Sequence, residues 1–141
     1  MPTAVSELLV RVNYSETDQM GVVYHARYVV WLDMARTEHL RLSGTTYREL
    51  EERGFFLAVG ELTMRFRQPA HYDDVVRVRC WVREVASRRV TFGYALEAAE
   101  SGGLLATAET RMMCLNRNFS PTRIPDDVMK LLHVVPDPVR I

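Results

Sequence analysis

Lysine is almost missing from this chain: Lys130 is the only one among 18 basic residues. These are balanced by 18 acidic residues, and a net charge of zero gives no reason to expect a nucleic acid or an anionic membrane as partner. No apolar run approaches the roughly 20 residues that cross a bilayer. The first residues also lack the basic and apolar segments of a secretory signal. We therefore expect a cytoplasmic protein without a membrane span.

Cysteine is also scarce. Cys80 and Cys114 both fall in alternating apolar segments and have no metal-ligand spacing. They are typical of buried thiols in a reduced protein rather than of a disulfide, and no metal site is indicated. Linkers, repeats and low-complexity segments are missing as well, so 141 residues indicate one domain, 1–141.

The first part of the chain combines a strand with a long helix. Residues 8–14 alternate loosely and predict a strand, whereas apolar residues recur at three- and four-residue steps over 27–42. That helix is apolar around most of its girth, so we expect other elements to cover it. Ser43-Gly44 is a stop signal, after which Thr45 or Thr46 can cap a short helix reaching about residue 53.

The remainder of the chain follows a period of two. Alternation over 62–67, 76–83, 89–97 and 104–115 predicts four long strands, and Ser101-Gly102-Gly103 marks a hairpin turn. Clean alternation is typical of an antiparallel sheet with one packed and one wetter face. The fold class is thus α+β, with a five-stranded antiparallel sheet wrapped around a central long helix. A last short helix is predicted near 126–133.

Reactive side chains gather between the first strand and the long helix. The segment 14–25 contains Asp18, Gly21, two tyrosines and His25. A helix start offers unpaired N–H groups and the positive end of a dipole. A carboxylate beside donors that can hold an oxyanion is the minimum apparatus for acyl transfer.

These residues resemble the signature of the YbgC-type acyl-CoA thioesterases, relatives of 4-hydroxybenzoyl-CoA thioesterase in the hotdog-fold superfamily. Supporting matches are Phe66–Ala70 with Asp73-Asp74, and Pro121–Pro125, so the resemblance spans about 8–132. Gln19-Met20 departs from the small residues often found before Gly21. The signature itself is carried by Tyr14, Glu16, Thr17, Asp18, Gly21, Val22, Val23, Tyr24, His25, Ala35, Arg36, Thr37 and Glu38.

The resemblance implies a hotdog fold and hydrolysis of acyl-CoA to free CoA and a carboxylic acid. The aspartate that matches Asp18 serves in the family as nucleophile or as general base, and both roles stay open. Either suits a thiol leaving group with a pKa of about 8.5, which departs without a strong acid. The alternative for Asp18 is a simple Asx-turn.

Further site residues are predicted around Asp18. The N–H groups of Gly21, Val22 and Val23 are expected to form the oxyanion hole, with Tyr24 as a pocket wall. By resemblance, His25 orients water or polarises the carbonyl, and Tyr14 fixes the catalytic groups. The alternatives are a turn glycine, a structural histidine and a buried strand tyrosine. Arg88 and Arg89, in a turn between strands, are candidates for the CoA phosphates.

The resemblance also implies a homodimer or homotetramer with each site between protomers. No cofactor is expected, since acyl-CoA is the substrate. Two other functions compete with hydrolysis. A hotdog dehydratase acting on hydroxyacyl thioesters would need a His-Phe-Pro motif, which the chain lacks. A non-catalytic acyl-CoA-binding or partner-docking module is disfavoured by the intact Asp18 and His25.

Overall fold

The computed structural model describes residues 4–141 and contains one five-stranded antiparallel sheet. The strand order is β1-β3-β4-β5-β2, so β1 and β2 form the two edges. The predicted α+β hotdog architecture is confirmed, because one long helix lies against this sheet. The strands are β1 (Val5–Arg11), β2 (Phe56–Phe66), β3 (Val75–Val85), β4 (Arg89–Ala98) and β5 (Leu104–Leu115).

The helices are α1 (His25–Ser43), α2 (Tyr47–Glu52) and α3 (Asp126–Met129). Gly44 ends α1 with φ 112°, a left-handed conformation that glycine adopts without strain. Thr46, one of the two predicted caps, accepts the N–H of Glu49 at the start of α2. Over residues 4–141, none of the helices has the length and apolar character needed to cross a membrane.

Several predicted boundaries are wrong. β1 ends at Arg11 instead of residue 14, because the N–H of Val12 donates to the Asp74 carbonyl and Tyr14–Glu16 winds into a 3-10 turn. α3 stops at Met129, before the predicted end near residue 133. Alternation identifies the middle of each strand, whereas its ends depend on hydrogen bonds from distant segments.

The core lies between one side of α1 and the inner face of the sheet. Trp31 and Leu32 of α1 are buried with Val78, Phe92 and Leu96 of the strands. The opposite side of α1 is not covered as predicted. Three apolar residues there are 39–48% exposed: Val29, Val30 and Met34.

Two buried polar residues fix α1 to the sheet. Arg36 donates to the Tyr94 hydroxyl at 3.1 Å and to Asp33 at 2.6 Å. His39 is 1% exposed, and its Nδ1 lies 2.8 Å from the Ser6 hydroxyl on β1. Burial lowers the pKa of His39, because an imidazolium loses its hydration there. Folding therefore favours the neutral form of the His39 ring.

The protonation of His39 should make folding stability depend on pH. The unfolded imidazole titrates near its ordinary value of about 6.5, and the folded ring titrates lower. The unfolded state then binds more protons, so the free energy of unfolding falls as pH drops below about 6.5. Between about pH 7.5 and 5.5 the wild type should lose more stability than His39→Gln. Denaturant unfolding at both pH values measures this. His133→Gln, at an exposed position, is the control, and an equal slope in both variants contradicts the assignment.

Candidate active site

The loop between β1 and α1 folds into a very small hairpin. Thr17 and Val23 pair, with the N–H of Asp18 donating to the Val22 carbonyl at 2.9 Å and the N–H of Tyr24 donating to the Glu16 carbonyl at 2.8 Å. The tip can turn this sharply because Gly21 has φ 81°, a conformation that L side chains rarely adopt. The reactive residues are thus held in place by backbone bonds.

Two contacts hold this hairpin against the rest of the fold. The Glu16 carboxylate accepts the indole N–H of Trp31 at 2.7 Å and the backbone N–H of Asn13 at 2.8 Å. The N–H of Val23 donates to the Ala70 carbonyl at 2.9 Å, in the segment that follows β2. The hairpin is therefore bonded both to α1 and to the segment that follows β2.

Asp18 presents one constrained and one open carboxylate oxygen. Its Oδ1 accepts the N–H of Met20 at 2.9 Å, so the Asx-turn considered from the sequence does form. Within the part of the chain that the structure describes, Oδ2 has no hydrogen-bond donor. The residue is half-buried and faces a cleft of about 280 Å³, whose walls are Asp18, Met20, Val22, Val23, His25, Tyr28, Phe66, Arg67, Gln68 and Pro69.

Not all of the backbone N–H groups predicted to bind the oxyanion are without an acceptor. The N–H of Gly21 donates to the Asp18 carbonyl at 3.0 Å, and that of Val23 donates to the Ala70 carbonyl, so both already have an acceptor. Among the described residues, the N–H of Val22 has no acceptor. Over residues 4–141, the first N–H groups of α1, at His25 and Ala26, have no partner within the helix, and no side chain caps it. The donors next to Asp18 are therefore those of Val22 and the helix start.

The structure brings His25 to the cleft but not the two tyrosines. His25 is the first residue of α1, and its exposed ring lies 4.5 Å from the ring of Tyr24. Tyr24 is beside the cleft rather than in its wall. Tyr14 is 76% exposed, and its ring contacts Tyr72 at 5.5 Å outside the cleft. Its carbonyl instead accepts the Thr17 hydroxyl at 2.8 Å, which supports the hairpin.

The predicted phosphate-binding arginines lie far from Asp18 in the same chain. Arg11 at the end of β1 pairs with Val75 at the start of β3, so Asp18 belongs to that end of the sheet. Arg88 and Arg89 follow the opposite end of β3, about 33 Å away for a strand of this length. Arg89 lies 3.5 Å from Glu84, in an ion pair.

Several residues of the cleft wall were not assigned a role from the sequence. Phe66, Arg67, Gln68 and Pro69 follow or end β2, and Tyr28 lies one turn into α1. The signal for four of them was the Phe66–Ala70 motif, which had served only as part of the resemblance. Between residues 4 and 141, no three or more His, Cys, Asp or Glu side chains are grouped as metal ligands.

Comparison with known proteins matches the chain to a family. The model described as "Thioesterase-like superfamily" covers residues 12–132, which include the hairpin, α1 and the segment that follows β2. The resemblance seen in the sequence is thereby confirmed.

Individual relatives agree with this match. The acyl-CoA thioesterase YbgC of Haemophilus influenzae is 34% identical over 126 residues, covering 88% of this chain and 91% of that protein. A hypothetical protein from Thermus thermophilus has a crystal structure with TM-score 0.84 and 41% identity, covering 92% of this chain and 97% of the other. The DHNA-CoA thioesterase of Staphylococcus aureus has TM-score 0.87 and 28% identity, with coverages of 92% and 89%.

Removing the Glu16 carboxylate should loosen the hairpin. Glu16→Ala leaves the indole N–H of Trp31, which is 1% exposed, without an acceptor. An unsatisfied buried donor costs about 1–3 kcal/mol, so the free energy of unfolding should fall by that amount. Denaturant unfolding followed by circular dichroism measures it. Glu51→Ala, at an exposed helix position, should change stability by about 0.5 kcal/mol or less. Equal stabilities of the two variants would contradict the role of Glu16.

Proposed function

Since the chain belongs to the thioesterase-like superfamily, we propose that it hydrolyses the thioester bond of acyl-CoA to free CoA and a carboxylic acid. The observation that carries the proposal is the shared cleft of Asp18 and the helix start. A carboxylate oxygen without a partner lies there beside backbone N–H groups that also have none, among the residues that the structure describes. The named activities of the relatives support the same reaction.

The backbone donors act on the carbonyl oxygen of the thioester. As the carbonyl carbon is attacked, negative charge grows on this oxygen, and the N–H groups of Val22 and His25 stabilise it. They are fixed by the hairpin and the helix, so they need no reorganisation during the reaction. The positive end of the α1 dipole adds to this effect. His25 itself contributes its ring at the mouth of the cleft, where it orients water.

Asp18 acts in one of two ways through its open oxygen. As general base, it takes a proton from water while the water oxygen bonds to the carbonyl carbon. As nucleophile, it bonds to that carbon and forms an anhydride, which water then opens. In both routes the C–S bond breaks, and sulfur leaves as a thiolate that takes up a proton. Labelling with heavy-oxygen water in a single turnover separates the routes, since only the anhydride can place the label in Asp18.

No metal or bound cofactor takes part in the proposed reaction, because CoA is carried by the substrate. A cytoplasmic location fits this reaction and the two buried thiols, Cys80 and Cys114, which are both free. Arg88 and Arg89 of one copy are proposed to contact the CoA phosphates of a substrate bound at Asp18 of another copy. In one chain they lie at the wrong end of the sheet to contact a substrate bound at Asp18.

We also propose that the chain forms a homodimer, alone or within a tetramer, through α1 and β2. Val29, Val30 and Met34 leave one side of α1 apolar and exposed. β2 has a free edge within the described sheet, and its Leu62 is exposed on the same side of the sheet as α1. A second copy that covers these surfaces removes both an apolar patch and an unpaired strand edge.

Replacing Asp18 by asparagine should remove turnover without disturbing the hairpin. Asp18→Asn keeps the oxygen that accepts the Met20 N–H but loses the basic carboxylate. We expect kcat/KM for acyl-CoA to fall by about 100- to 10,000-fold, with binding measured by calorimetry retained. Asp73→Asn is the matched control, because asparagine tolerates the φ of 69° at that exposed position. Hydrolysis at the wild-type rate by Asp18→Asn would contradict the role of Asp18. A wild type that hydrolyses no thioester in a broad panel would argue for a binding module.

A charge on the exposed side of α1 should separate the subunits. Met34→Glu places a carboxylate in the proposed interface, where desolvating it opposes association. We expect the mass in solution, measured by sedimentation equilibrium, to fall by half, from dimer to monomer or from tetramer to dimer. Val134→Glu adds the same charge at an exposed apolar position in the C-terminal segment and should leave the mass unchanged. A wild type that is already monomeric contradicts this assembly.

A further inference from the structure

The apolar part of the Asp18 cleft has one fixed wall and one adjustable wall. Both walls are aromatic, and their rings lie 5.5 Å apart between centroids: Tyr28 on α1 and Phe66 at the end of β2. In the proposed thioesterase, on whose activity this inference rests, the two rings border the acyl group of the bound substrate.

Tyr28 is the fixed wall. It is 3% exposed, and its hydroxyl accepts the N–H of Ala70 at 3.2 Å. Its other side packs edge-on against Trp31, with centroids 5.1 Å apart. Because the Ala70 carbonyl holds the hairpin through Val23, a shift of Tyr28 would move the catalytic loop itself. A substitution of Tyr28 that changed the size of the cleft would therefore also disturb the hairpin that holds Asp18.

Phe66 is the adjustable wall. Its backbone is fixed, since it pairs with Ala106 in the sheet and the next two N–H groups, of Arg67 and Gln68, both donate to the Leu105 carbonyl. Its ring, by contrast, is 54% exposed, with Tyr28 as its aromatic neighbour. A side chain held at the Cα but open around its ring can change in size while the hairpin and its hydrogen bonds stay in place.

We propose that Phe66 determines how long an acyl group the cleft accepts. The Phe66 ring lines the same cleft as Asp18 and lies 5.5 Å from the Tyr28 ring, so its size sets how much of the cleft is free beside that ring. An acyl chain that extends past Tyr28 meets the Phe66 ring. One methylene too many in an apolar pocket costs about tenfold or more in kcat/KM, so one ring can set a sharp limit.

The test is the dependence of kcat/KM on acyl length, from acetyl-CoA to dodecanoyl-CoA. Phe66→Ala should raise the ratio of long-chain to short-chain kcat/KM by about tenfold or more, and Phe66→Trp should lower it. Phe56→Ala is the matched control. Phe56 begins the same strand, at the end far from Asp18, where it packs against Phe119 at 5.8 Å. This control should keep the wild-type length profile.

Three results would overturn the proposal. The first is an unchanged ratio in both Phe66 variants, and the second is an equal change in Phe56→Ala. The third is a uniform loss at all lengths together with a lower mass in sedimentation, which would make Phe66 a subunit contact instead. If Phe66→Ala does not fold, Phe66→Leu replaces it in the same comparison.

Failure of the proposed activity is recognised separately. In that case the wild type hydrolyses none of the thioesters, whereas failure of the length limit leaves an active enzyme with an unaltered profile. The length limit can still be tested by binding: dissociation constants of the same acyl-CoA series, measured by calorimetry in the Asp18→Asn background, should show the same shift with Phe66→Ala. Equal dissociation constants with and without that change would reject it.

Discussion

The hydrogen bond between the Glu16 carboxylate and the Trp31 indole holds the Asp18 hairpin against the long helix. It joins a buried donor to an ionised acceptor at 2.7 Å, the stronger class of hydrogen bond. The same carboxylate also accepts the Asn13 N–H, where the chain leaves β1. One side chain therefore sets the distance between the end of the first strand, the Asp18 turn and α1. A cleft bordered by all three depends on this bond for its shape.

The hairpin also decides which backbone groups are free for chemistry. A tight turn uses most of its own N–H groups, and those of Gly21 and Val23 are satisfied by the carbonyls of Asp18 and Ala70. In the part of the chain that the structure describes, the donors without an acceptor near Asp18 are at Val22 and at the first residues of α1. The Asp18 carboxylate shows the same division. Its Oδ1 accepts the Met20 N–H in the turn, and its Oδ2 has no donor among the described residues. Structural and chemical roles are thus divided between neighbouring atoms of the same residues.

The uncovered surfaces lie on the same side of the sheet as the cleft. Phe66 and Leu62 are on the inner face of β2, in a part that the long helix of this chain does not cover, and the apolar side of α1 with Met34 is also open. An assembly through these surfaces would bring a second copy close to the substrate. In the proposed assembly, Arg88, at the far end of the sheet, contacts the CoA phosphates only from a second copy of the chain.

The sequence by itself determined the order and type of the elements, the stop at Gly44 and the position of Asp18 before the long helix. These follow from periodicity, from the conformational freedom of glycine and from a signature contained in one short segment. Only the tertiary structure decided where β1 ends, which N–H groups near Asp18 remain free and that Tyr14 lies outside the cleft. Each of these depends on a partner that is distant in the sequence, such as Ala70 for Val23, Asp74 for Val12 or Tyr72 for Tyr14. A local pattern cannot contain such information, because the competition for a hydrogen bond is settled only when the chain has folded.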